Sequence, residues 1–94
     1  MKVGLVAIHY PHTAYRDQMV ARVRQAAEVM ERVPGCLAVG CWTGLSDGTV
    51  VTIGQWGSGA ALAAAFEAVR AAGIDFGYDE RESRPREVLR RASI

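Results

Sequence analysis

The sequence predicts an α+β fold in which two helices cover one face of an antiparallel sheet, and three observations carry that reading. Val3–Tyr10, Cys36–Trp42 and Val50–Trp56 are short runs rich in apolar and β-branched residues, as strands are. Between and after them, two segments have apolar residues at helical spacing. The strand-like runs are apolar on both faces, so once two helices have covered one face the other is left over, and a second copy of the chain is expected to cover it.

Each element follows from its residues. In the first run Val3, Leu5 and Ala7 project to one face and Val6 and Ile8 to the other, because alternate residues of a strand point to opposite sides. Across Thr13–Val33, Tyr15, Met19, Val20, Val23, Ala27, Met30 and Val33 recur at helical spacing while Arg16, Arg24, Glu28, Glu31 and Arg32 fill the other positions. Thr13 is the expected N-cap and Pro34-Gly35 the stop. In the second run Leu37, Val39 and Cys41 oppose Cys36, Ala38 and Trp42. Asp47-Gly48 in the following link is a tight-turn signal, which makes the second and third runs a hairpin. In the third, Val51 and Ile53 oppose Val50 and Trp56. With an even number of loop residues, Trp56 shares a face with Leu37, Val39 and Cys41, and Trp42 lies on the other: one tryptophan under the helices, one against a partner.

Ser58 is the expected cap of an alanine-rich second helix whose buried stripe is Leu62, Ala65, Phe66 and Val69, with Gly73 at its C-terminal end. Val88–Ile94 reads as a fourth strand or, after Pro85, as a short helix. Topology decides for the strand, since a βαββαβ order is the split-βαβ, ferredoxin-like arrangement and returns its last strand beside the first. Asp75–Arg84 is then a long, charged connection carrying Tyr78.

Residues 1–94 are expected to form a single domain whose small core would gain materially from self-association, because a chain this short buries only roughly 60–65% of its unfolded surface. Half of the residues are hydrophobic and 22% are charged, an ordinary globular balance. The N-terminus lacks the succession of a signal peptide and no run is long enough to span a membrane, so a cytoplasmic location is the expectation. Net charge is +1, and the five arginines between Asp79 and Arg91 are nearly cancelled by Asp79, Glu80, Glu82 and Glu87. That mixed face is not a nucleic-acid footprint. Cys36 and Cys41, five residues apart on one strand, are expected on opposite faces as core thiols.

The usual catalytic signatures are missing: no phosphate-binding glycine loop, no Gly-x-Ser-x-Gly elbow, no Cys-x-x-Cys. His9 and His12 flank a proline without a third ligand nearby, so no metal site is expected. His9 ends an otherwise apolar strand, where an imidazole is either a general base or a strand-end group bonded to backbone or water. Trp56 and Phe66 are core residues or the wall of a cleft, and Tyr78 either closes that cleft or is exposed. Arg81, Arg84 and Arg86 hold an anionic substrate or form a solvated face.

With these residues in place, the chain resembles the antibiotic biosynthesis monooxygenase family of dimeric α/β barrels across nearly residues 1–70. The resemblance rests on the apolar first strand, on Val33-Pro34-Gly35-Cys36 at the helix end, on the hairpin, and on Thr52-Ile53-Gly54-Gln55-Trp56-Gly57-Ser58 leading into Ala61-Leu62 and Phe66. It implies a homodimer joined through the sheet faces and a cofactor-independent oxidation of a small aromatic, quinol-like or polyketide-like molecule. On that basis His9 is the candidate catalytic base, and Trp56, Phe66, Tyr78 and Thr52 are the candidate substrate-binding residues. Relatives of the quinol-forming type commonly carry asparagine four residues before the tryptophan, where this chain has Thr52. The haem-degrading branch places asparagine in strand one and histidine beyond the tryptophan, where this chain has Ala7 and Phe66, so no haem is expected. The alternative is a non-catalytic dimeric module that binds or senses a small ligand, and a third reading is an oligomerisation domain with a filled core.

Overall fold

In the computed structural model, which describes residues 1–94, the chain runs through β1 (Val3–His9), a 3₁₀ turn (Thr13–Tyr15), α1 (Arg16–Glu31), β2 (Cys36–Thr43), β3 (Val50–Trp56), α2 (Gly59–Ala71) and β4 (Glu87–Ala92). The strands form one sheet in the order β2-β3-β1-β4, every pair antiparallel. The tail is therefore a strand of its own sheet, running beside β1 with Ile8 opposite Glu87 and Val3 opposite Ala92. This is the α+β, ferredoxin-like arrangement that the element order predicts.

One face of the sheet carries the core. Leu5, Ala7, Val50, Thr52 and Trp56 are buried there, beneath Met19, Val23, Ala26 and Met30 of α1 and Leu62, Ala65 and Val69 of α2. Trp56 is fully buried, and the backbone makes room for its indole at Gly54, where an added Cβ would come within 2.6 Å of Trp56 Cη2. Ser58 caps α2 as expected: its backbone is extended and its Oγ accepts the Ala61 N–H at 3.1 Å. Gly73 adopts the left-handed conformation after the last turn, with φ 75°.

Three details depart from expectation. Thr13 does not cap α1: it is already part of the 3₁₀ turn, and the extended residue an N-cap requires is His12, whose side chain makes no cap bond. Helix α1 accordingly starts at Arg16 and ends at Glu31. Second, the hairpin loop, residues 44–49, does have an even number of residues, and Trp42 and Trp56 do fall on opposite faces, but a bulge lies between Cys36 and Ala38. It sets Cys36, not Leu37, opposite Trp56, and leaves Leu37 55% exposed. Third, that same bulge brings Cys36 round to the face of Cys41, so the two free thiols share the helix-covered side of the sheet.

The other face is bare. Trp42 and Ile53 are 63% and 44% exposed, beside half-buried Val6, Ile8, Val51 and Leu89. No helix is long and apolar enough to cross a membrane.

Candidate functional site

Both helices sit mainly over β2 and β3, so the inner side of β1 and β4 is left partly uncovered. A cavity of about 550 Å³ opens there. Leu5, Ala7 and His9 of β1, with Thr52 of β3 and Val88 of β4, form its floor, Phe66 and Val69 of α2 one wall, and Ile74 and Phe76 of the connection after α2 another. The alternation of β1 that hides Leu5 and Ala7 carries His9 to the same face, at the end of the strand.

His9 is 3% exposed, its ring tilted against Phe76 with centroids 5.0 Å apart. Its Nδ1 lies 3.9 Å from Oε1 of Glu82, a carboxylate only 5% exposed. The chain leaving β1 brings Glu82 here by pairing with the returning connection. His12 donates its N–H to the Arg81 carbonyl at 2.9 Å, Ser83 donates to the Tyr10 carbonyl at 2.8 Å, and Pro11 bridges to Glu82. Asp79 tightens the turn before it, accepting the Arg81 backbone N–H at 2.9 Å and the Arg81 guanidinium at 3.0 and 2.7 Å. Those bonds hold the Asp79 carboxyl down at about 2.

Burial and the nearby charges of Arg86 and Arg22 lower the His9 pKa from 6.5 to about 4, so the imidazole is neutral at pH 7. Burial first, then the Asp79 charge, raises the Glu82 carboxyl above its ordinary value. His9 Nδ1 and Glu82 Oε1 are buried without hydrogen-bond partners, and each is the polar group that the other faces. The separation exceeds a hydrogen bond by about 1 Å.

The fold thus brings His9, Thr52 and Phe66 to one cavity. Trp56 does not line it but packs behind Leu5, Met30 and Val69, which do. Tyr78 is 55% exposed on the connection and does not line it either. Arg81 is taken up by Asp79 and Arg84 by Glu87, whereas Arg86 reaches the cavity. Two members of the site were not singled out from sequence, Phe76 and Glu82. Phe76 stands alone in a connection with no periodicity, and Glu82 is one acid in a run of alternating charges, so neither carries a local signal.

This is the fold of the antibiotic biosynthesis monooxygenases, here with a buried histidine on the floor of its cavity. A crystal structure of an antibiotic biosynthesis monooxygenase superposes with a TM-score of 0.78 at 20% identity, covering 98% of each chain. Rv0793 from Mycobacterium tuberculosis gives 0.78 at 18% identity over 100% of this chain and 96% of its own. A variant of SnoaB, a cofactor-independent oxygenase from Streptomyces nogalater, gives 0.71 at 16% identity over 98% of this chain and 92% of its own. No family model matches the sequence, and no curated protein matches it. At these identities the likeness establishes the fold, and the chemistry has to be argued from the site.

Proposed function

We propose that the protein is a homodimeric, cytoplasmic, cofactor-independent monooxygenase acting on a small electron-rich aromatic, quinol-like or polyketide-like, bound between sheet and helices. The observation that carries this reading is His9, a buried neutral imidazole that lines an apolar cavity and turns one ring nitrogen to a buried carboxylate. With Glu82 ionised, a proton on Nδ1 is directed at the carboxylate and the lone pair on Nε2 is left to take a proton from the substrate. Shortening the 3.9 Å gap to hydrogen-bond length as substrate binds would satisfy both orphaned atoms, and Glu82 would then stabilise the imidazolium that forms.

The substrate anion left behind is electron-rich enough to reduce dioxygen. A carbon–oxygen bond forms at the activated carbon, the O–O bond breaks, one oxygen atom stays as a carbonyl, and the other leaves as water with the two hydrogens lost from the substrate. The substrate supplies every electron, so the step needs no flavin or metal. Phe66 and Phe76 give the cavity an aromatic wall, and Thr52 offers a hydroxyl on the floor. Trp56 acts by fixing the residues that line the cavity, and Tyr78, two residues beyond Phe76, is the candidate lid. The bare apolar face bearing Trp42 and Ile53 supports a second copy seated there.

The test is anaerobic mixing of the metal-free protein with an anthrone. An anion absorption band that appears with the wild type and not with His9→Ala is the expected result. An unchanged neutral spectrum with both proteins would sink the base assignment.

A further inference from the structure

The cavity's charged rim is not balanced. Glu67 is paired with Arg70, and Asp75 accepts the Gly77 backbone N–H at 2.9 Å. Arg86 and Arg90 also line the cavity, and neither has a carboxylate within 4.0 Å. Both project from alternate positions of the β4 segment, on the side of Val88, and each guanidinium rests on an aromatic ring of the cavity wall. Arg86 lies over Phe76 at 5.7 Å and is pinned by a 2.7 Å bond to the Phe76 carbonyl, and Arg90 lies over Phe66 at 5.3 Å. The β1–β4 register sets Arg90 opposite Leu5 and, continued by one residue beyond Ile8 and Glu87, sets Arg86 beside His9. The two arginines lie four positions apart, about 13 Å along an extended chain.

We infer that the substrate is an aromatic carboxylate of two or more fused rings, held with its reacting hydroxyl end at His9 and Arg86 and its carboxylate on Arg90. This inference deepens the oxygenase reading and rests on it for the reacting end alone. Arg86 is placed to stabilise the anion formed beside His9, while Arg90, whose guanidinium donates no hydrogen bond within the chain, has its donor fork free for a planar carboxylate. The apolar stretch between them, Ala7 and Val88 on the floor with the two phenylalanines above, suits flat rings.

The test measures binding by calorimetry without oxygen, using a dihydroxynaphthoate whose carboxylate is on the ring remote from the hydroxyls, and the matching dihydroxynaphthalene. The wild type should bind the naphthoate about tenfold or more tightly than its carboxylate-free counterpart. Arg90→Ala should erase that ratio and Arg90→Lys should recover part of it, while Arg84→Ala, outside the cavity on the same segment, should leave it unchanged. A wild type that binds neither probe, shows no preference, or keeps its preference in Arg90→Ala would overturn the inference. If the ratio behaves as expected but neither probe supports oxygen uptake once air is admitted, the carboxylate site stands and the oxygenase reading fails.

Discussion

Replacing His9 by glutamine removes a titrating group whose folded and unfolded states differ by a calculable amount. The folded pKa is about 4 against 6.5 for an unperturbed imidazole. Between those values the unfolded chain binds a proton that the folded chain refuses. The stability due to neutral burial is therefore complete above pH 6.5 and is lost as pH falls through about 4. The full window amounts to roughly 3 kcal/mol, of which about 2.5 kcal/mol falls between about pH 7 and pH 4.5. Glu82 acts with the opposite sign: its raised pKa favours the fold below 4.5 and that advantage is lost as pH rises through the folded value. The informative quantity is thus the difference between wild type and His9→Gln, measured by urea unfolding at one protein concentration so that association weighs equally on both. The wild type should lose about 2.5 kcal/mol more than the variant across that range. Equal pH slopes in the two proteins, or an NMR titration of His9 with a midpoint near 6.5, would refute the desolvated imidazole that its burial produces.

Glu82→Gln keeps the shape of the side chain but removes the charge facing His9, and turnover should fall roughly 10–100-fold with substrate binding retained, as read from oxygen uptake and calorimetry. In Gly54→Ala the new methyl meets the Trp56 ring at 2.6 Å, so urea unfolding should show a loss of about 1–3 kcal/mol. Ser58→Ala removes the hydroxyl that caps α2 and should cost about 1 kcal/mol in the same assay. Trp42→Ala should weaken the dimer about 100-fold or more, observed by sedimentation, because the exposed indole is proposed to be buried twice over in the pair. A Trp42→Ala protein that sediments like wild type would place the interface elsewhere.

What was legible in the sequence is what repeats along the chain. Alternation in β1 and β3, the stripes of α1 and α2, the Ser58 cap and the Asp47-Gly48 turn are local patterns, and the βαββαβ order followed from them. The edge position of β4 needed topology, since its residues read as strand or helix alike. The bulge at Leu37 was invisible because nothing in Cys36-Leu37-Ala38 marks an extra residue, and its effect, turning Cys36 inward, appears only once β3 is alongside. The same limit applies to the site. His9 stood out as a polar end to an apolar strand, but its partner Glu82 lies across a long connection, and only the pairing of residues 10–12 with 81–83 brings it into range. Arg86 was one of several arginines in a mixed run, distinguished from Arg81 and Arg84 by having no acidic partner, which is a fact of three dimensions.

The central claim is that His9 draws a proton from an aromatic substrate that then reacts with dioxygen unaided. Its most direct test is oxygen consumption by the metal-free protein across a panel of hydroquinones and anthrone-like phenols, with His9→Ala in parallel. Uptake with at least one class of compound, collapsing in the variant, is the expected result. No uptake with any compound, or uptake undiminished without His9, would contradict it.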